Sequence, residues 1–505
     1  MPASQMTGSN RKPNFLLFMP ETVRADAVTG DPAGRAKTPV LDALAAEGVS
    51  FSRTYSQSPF CTPSRCSMFT GLYPHVHGHR SLQNLLKRDE WNLFRELREA
   101  GYRTVCFGKN DFVTGEAIGL TFDECLPRME SGAFSGPPPE QARKMPLGSF
   151  YKGRRAEGAS RDKDWTYVES ALSFLDESHE EPFCLFLPIT FAHPPYCVEE
   201  PYFSLHRREE VRPPVPASFH DHNRLSDLMY HARKLQDLDE EDFREIRAVY
   251  YGMISRLDHH LGLLLDKLKE RGLYEDTAVF VFSDHGDYAG DYGQVEKCNY
   301  AFEEPMLHVP LVVKPAAGTA EASAASEASA AARGGLVDHG LTACLDLYPT
   351  ILEMAGLAPK QPHQGISLAG RIMGIQGFPG ITDDPAGRCR EAVYAEAGYT
   401  AAEHYCVTDL KPYIGSVYED SIRLFTDHPG VPGRRIMRRD DRWKYVYGQG
   451  EYEELYDLET DPQERVNLAG DNRFAAHKTR LKEEILAWLT ETSDIVPWKK
   501  DPRNF

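Results

Sequence analysis

Long apolar runs are missing from this chain. The strand-like stretches Asn14 to Met19 and Ala278 to Phe282 fall far short of the roughly 20 residues that a membrane helix needs, which excludes a helical bilayer span. Met1 to Pro13 is polar and has no apolar h-region of the kind a secretory signal carries, so a cytoplasmic location is expected. Cysteine pairs with metal-type spacing and a compact disulfide pattern are absent too. The ten cysteines are scattered, which fits reduced thiols. Positive charge is in deficit: 57 Lys and Arg against 75 Asp and Glu leave a net charge of −18, which argues against nucleic acid as the main partner. An anionic substrate is not excluded, because a local group of Lys, Arg, His and metal can invert the field inside one pocket. No internal repeat is visible. What remains is a soluble, globular composition, 41% hydrophobic and 26% charged, over 505 residues, enough for a large core and two or three domains.

One stretch asks for a chemical explanation: Ser58-Pro59-Phe60-Cys61-Thr62-Pro63-Ser64-Arg65-Cys66. Pro63 fixes its own backbone and biases Thr62 away from helical geometry, so a turn is expected to end here and a helix to start near Ser64. Cys61 then lies just before a helix N-terminus, where free N–H groups favour an anion. Arg65 offers a planar fork for a tetrahedral oxyanion. The plain alternative for such a cysteine is a small buried hydrophobe.

Several apolar runs read as buried strands of a parallel sheet, and each delivers polar residues to its end. Asn14 to Met19 runs into Pro20-Glu21-Thr22; Thr104 to Phe107 into Gly108-Lys109-Asn110-Asp111; Phe183 to Leu187 into Phe191-Ala192-His193-Pro194; Ala278 to Phe282 into Ser283-Asp284-His285-Gly286-Asp287. Ligands of open α/β sheets gather at strand ends, and carboxylates with an imidazole suit a divalent cation. A solvated loop carboxylate is the alternative for Glu21, and a surface lysine for Lys297. In Pro74-His75-Val76-His77-Gly78-His79 the histidines lack a paired carboxylate within the segment, so His75 and His77 read as structural or as pocket rim rather than as ligands.

Cys61-Thr62-Pro63-Ser64-Arg65 and the strand ends together resemble the sulfatase family, from Asn14 to about Leu468. The resemblance implies an α/β, alkaline-phosphatase-like fold: a large mixed sheet flanked by helices, with a smaller C-terminal subdomain of antiparallel sheet plus helix. It implies that Cys61 is oxidised to formylglycine by a maturation enzyme, its hydrated aldehyde serving as nucleophile. It also implies a divalent metal, calcium first and manganese second, held by Glu21, Asp284, His285 and modified Cys61. Arg65, Lys109 and Lys297 would offset charge, and His193 would help the leaving group depart. The sequence departs from the family twice. Glu21-Thr22 stands where sulfatases have aspartate, and Asp111 stands where they have a histidine base, a role a carboxylate fills if its pKa is raised toward neutrality.

The expected domains are residues 1–380, with a low-complexity Ala/Ser/Glu loop over 316–335, and 381–505. Gly132 to Arg161 reads as an insertion near the substrate entrance. Tyr250 to Lys269 reads as a long amphipathic helix. In the C-terminal part, Ala392 to Glu396, Ser421 to Thr426, Arg435 to Arg438 and Trp443 to Tyr447 read as strands, covered by a helix bearing Leu481, Ile485 and Trp488. The expected activity is hydrolysis of a small-molecule or saccharide sulfate ester. The alternatives are phosphonate monoester or phosphodiester hydrolysis and a non-catalytic binding homologue. Homo-oligomerisation stays open.

Overall fold

The computed structural model describes residues 12–496 except 31, 127–144, 156–161, 218–223, 299, 318–334, 374–389, 401–402, 404–410, 429–432 and 450–452. The boundary expected at 380/381, most of the low-complexity loop and much of the Gly132 to Arg161 segment lie outside the described residues.

Eight strands form the main sheet: β1 (Asn14–Pro20), β2 (Val49–Phe51), β3 (Arg103–Phe107), β4 (Glu124–Leu126), β5 (Phe183–Ile189), β6 (Thr277–Phe282), β7 (Leu311–Lys314) and β8 (Leu336–Asp338). Their spatial order is β8-β2-β7-β6-β1-β5-β3-β4. The strands from β6 through β4 run parallel, while β7 is antiparallel to both of its neighbours. Because side chains alternate across a strand, β1 supplies both cores. Leu16 and Phe18 pack on one face with Leu257, Leu261 and Leu264; Phe15, Leu17 and Met19 pack on the other with Phe69, Phe94 and Leu352. Burial on both sides explains why these strands are unbroken apolar runs.

Among the helices, α1 (Cys61–Thr70) starts at Cys61 itself, three residues earlier than the sequence suggests. Pro63 falls in the first turn, where its missing N–H would have had no intrahelical partner, and the Ser64 N–H reaches the Phe60 carbonyl at 3.3 Å. The long helix α2 (Glu240–Glu270) starts ten residues before the expected Tyr250. Asp239 and Asp242 cap it reciprocally, side chain to backbone, at 2.9 and 3.2 Å.

The C-terminal sheet is antiparallel and meanders through β9 (Val393–Ala397), β10 (Arg435–Arg439), β11 (Trp443–Gly448) and β12 (Glu453–Asp457). The final helix, α4 (Ala475–Thr492), buries Leu481, Ile485 and Trp488 as expected. Ser421 to Thr426 corrects one expectation: it is not a strand but part of helix α3 (Glu419–Asp427). Its buried residues, Ser421, Leu424 and Phe425, follow the 3.6-residue period, and Glu419 and Asp420 sit favourably in the first turn.

A buried cluster at the carboxyl edge of the parallel strands

Parallel pairing in register sets the site. β1, β3, β5 and β6 end at the same edge of the sheet, so Glu21, Lys109, His193 and Asp284 leave their strands side by side. Ligand atoms of Glu21, Cys61, Asp284 and His285 all lie within 4.8 Å of one another, and all four residues are buried. Cys61 Sγ is 2.8 Å from Glu21 Oε1 and 3.3 Å from His285 Nε2. The approach is tight: a Cβ on Gly286 would meet the Pro305 carbonyl oxygen at 1.8 Å.

Each donor is oriented from behind. His285 Nδ1 donates to the Gly286 carbonyl at 2.9 Å, which turns its Nε2 lone pair toward Cys61. Asp284 Oδ1 accepts the backbone N–H groups of Thr22 and His285. Asp284 Oδ2 accepts Arg65 Nε at 2.9 Å. Arg65 has no exposed surface; its Nη2 also lies 2.9 Å from Asp284 Oδ2, and its Nη1 donates to the Lys109 and Asn110 carbonyls. The fork that the sequence suggested for substrate therefore sits behind Cys61 and positions Asp284.

Lys109 and Lys297 supply positive charge at the cavity beside Cys61. Lys109 Nζ lies 2.6 Å from Glu21 Oε1, 3.6 Å from Cys61 Sγ and 2.9 Å from Asp111 Oδ2. Lys297 Nζ donates to His193 Nε2 at 2.7 Å and pairs with Glu296 at 2.8 Å, while His193 Nδ1 donates to the Pro194 carbonyl. Burial would raise Glu21, but Lys109, His193 and Arg65 outweigh it and hold the carboxyl well below the usual range. Burial, with Lys297 beside it, lowers His193 to about 3. Asp111 departs from what a base requires. Burial pushes it up, yet Lys109 and Arg65 prevail and hold it below, not above, the ordinary carboxylate value.

These groups open into a cavity of about 590 Å³ lined by Cys61, Lys109, Asp111, His193 and Lys297 on one side. Phe60, Tyr300, Tyr418 and Phe425 form an aromatic part of the wall. Phe425 comes from α3, within the stretch Ser421 to Thr426 expected as a strand, and Tyr418 is the residue before that helix. The helix's amphipathic period was the available signal.

The residues present fit a divalent cation. Glu21 Oε2 is buried with no hydrogen-bond partner among the described residues, and His285 Nε2, 3.3 Å from Cys61 Sγ, belongs to the same buried cluster. Of the three histidines in the segment after α1, His75 bonds Glu396 at 2.6 Å and the Thr492 carbonyl at 2.8 Å, tying that segment to β9 and α4. His77 and His79 both meet Glu90, the carboxylate that their own segment lacks.

The fold and this cluster define an alkaline-phosphatase-like α/β hydrolase scaffold, and the chain belongs to the sulfatase family: the family model described as Sulfatase matches residues 13–357. A multifunctional alkaline phosphatase superfamily protein, PehA, of Trinickia caryophylli is 26% identical over 529 residues, covering 94% of this chain and 93% of that one. A choline-sulfatase of Rhizobium meliloti (strain 1021) is 26% identical over 490 residues, covering 92% and 83%. The crystal structure of a phosphonate monoester hydrolase of Agrobacterium radiobacter superposes with a TM-score of 0.74 at 24% identity over 95% of this chain and 96% of that one, a likeness of fold. No helix among the described residues is long and apolar enough to cross a membrane.

Proposed function

We propose that this chain hydrolyses a sulfate ester to an alcohol or phenol and inorganic sulfate. The observation that supports the reading is the convergence of Glu21, Cys61, Asp284 and His285 within 4.8 Å, beside Lys109 and at the floor of a cavity. Glu21, Asp284 and His285 would hold a divalent cation, calcium or manganese, which when bound supplies Lewis-acid polarisation of the ester oxygens. Cys61 converted to formylglycine would supply a geminal-diol nucleophile and a further oxygen ligand.

The remaining roles fall to side chains in place. Lys109 and Lys297 bind the anionic ester group and offset charge that builds on its oxygens. His193 Nε2, which shares the Lys297 proton at 2.7 Å, holds that proton near the leaving oxygen. Arg65 fixes Asp284. Asp111 steadies Lys109 through a 2.9 Å ion pair. The aromatic wall suits an apolar or aryl leaving group, and a sugar face would stack there equally well. A maturation enzyme acting on Cys61 and a reducing, cytoplasmic setting complete the reading.

Phosphonate monoester or phosphodiester hydrolysis is the second reading. It is favoured by the same cationic floor, which would serve phosphoryl as well as sulfuryl transfer, and by the fold likeness to a phosphonate monoester hydrolase. Side-by-side kcat/KM for an aryl sulfate and a phenyl phosphonate ester decides between them, on protein whose Cys61 peptide has been shown by mass spectrometry to carry the aldehyde. Turnover of neither ester by such protein with calcium or manganese present would leave only a binding role.

A further inference from the structure

A second group of metal-type donors lies at the cavity rim. The short helix Pro74–His77 ends at Gly78, whose φ of +78° turns the chain so that His77 and His79 face one point. Their rings meet edge to face at 6.1 Å. Glu90 completes the group: its Oε1 lies 2.8 Å from His77 Nδ1 and 2.8 Å from His79 Nε2, while Oε2 accepts the Lys87 N–H at 2.7 Å. The three donor atoms fall within 4.8 Å of one another.

The protons at His79 do not add up in a neutral ring. Its Nδ1 lies 2.7 Å from the Asn84 carbonyl, which only accepts, so Nδ1 carries the proton. Nε2 then turns a lone pair toward a carboxylate oxygen at 2.8 Å, and two acceptors at that distance repel. A cation bound by both removes the conflict once the two donors part to the roughly 3.3 Å that tetrahedral zinc bonds require. An imidazole whose other nitrogen donates to a carbonyl is also the usual posture of a ligating histidine. Two imidazoles and one carboxylate match the donor preference of zinc, and the His77 side chain, 30% exposed, leaves an approach from solvent and room for a water ligand.

We propose that His77 Nδ1, His79 Nε2 and the Glu90 carboxylate bind a zinc-class dication, separate from the cluster at Glu21. Its role is structural. Arg80, Ser81, Leu82 and Gln83 follow His79 directly and line the substrate cavity, so the ion pins one wall of that cavity.

Equilibrium dialysis of the chelator-stripped full chain against micromolar free Zn2+ tests the site by stoichiometry. Glu90→Gln keeps an oxygen acceptor and the chain's shape but loses the charge. It should bind one Zn2+ fewer per chain than the unsubstituted protein, and the same difference should appear when both carry His285→Ala. His77→Gln, at the more exposed position, should lose the same equivalent if Glu90→Gln fails to fold. Equal Zn2+ uptake by the unsubstituted chain and by a folded variant would overturn the proposal. That is the result expected if a second proton on His79, not an ion, bridges to Glu90.

Discussion

The cluster at Glu21 and the cluster at Glu90 have the same raw material, histidine and carboxylate donors within 4.8 Å, and differ in everything around it. At Glu21 the donors are fully buried, backed by Arg65 and Lys109, and open to a large cavity. At Glu90 exposure is graded, with His77 exposed, Glu90 partly buried and His79 buried, and the bracing comes from the Asn84 carbonyl and the Lys87 N–H. Proximity of donors therefore makes a place for an ion, while cationic side chains around an open floor make a place for an anionic substrate. Only the first cluster has both.

Replacing the nucleophile candidate should separate the two most sharply. Cys61→Ala should lower kcat/KM for the preferred ester by at least about 10³-fold, whereas His77→Ala should change it by about 3-fold or less in protein supplied with calcium or manganese and no zinc. Comparable losses in steady-state assays would erase the distinction. Next in size is the charge behind each cluster. Arg65→Ala leaves Asp284 buried without its partner and should destabilise the fold by about 3–5 kcal/mol in denaturant melts.

The scaffold's own titration must be subtracted before either cluster is read by pH. His260 is buried on α2 with neither ring nitrogen hydrogen-bonded among the described residues, and burial, with Arg256 nearby, lowers it to about 3. The unfolded chain takes up this proton below its ordinary 6.5 and the folded chain only near 3, so stability is full above 6.5 and falls as the pH drops toward 3. At about 1.4 kcal/mol per pH unit, urea midpoints near pH 4.5 should report a loss of about 2–3 kcal/mol that His260→Phe removes. An unchanged acid limb in that variant would rule this out. The smallest effect belongs to the rim: without metal, Glu90→Gln should shift stability by about 1 kcal/mol or less, since glutamine keeps an oxygen acceptor in place and only the charge is lost. A larger shift in chelator would mean that Glu90 is a structural brace.

Much of this was legible beforehand, and for a reason. Strands buried on both faces must be continuous apolar runs, so β1, β3, β5 and β6 and the polar residues at their ends could be read directly. Local capping hid the rest. α2 begins at Glu240 because Asp239 and Asp242 bond each other's backbone, which no apolar pattern signals. Ser421 to Thr426 was misread because a short apolar-polar alternation fits either period. Arg65 looked like a substrate ligand because sequence shows its charge but not that Asp284 and two carbonyls occupy it. His77 and His79 looked unpartnered because Glu90 arrives from outside their segment.

The amino-acid order alone determined which chemical groups stand at strand ends, since hydrophobic continuity fixes where a buried strand must stop and polar chain begin. Which of those groups share a pocket was decided only by pairing in space. Parallel register beside β1 brings His285 Nε2 to 3.3 Å from Cys61 Sγ across 224 positions of chain, and a slip of one residue would turn such side chains to the opposite face.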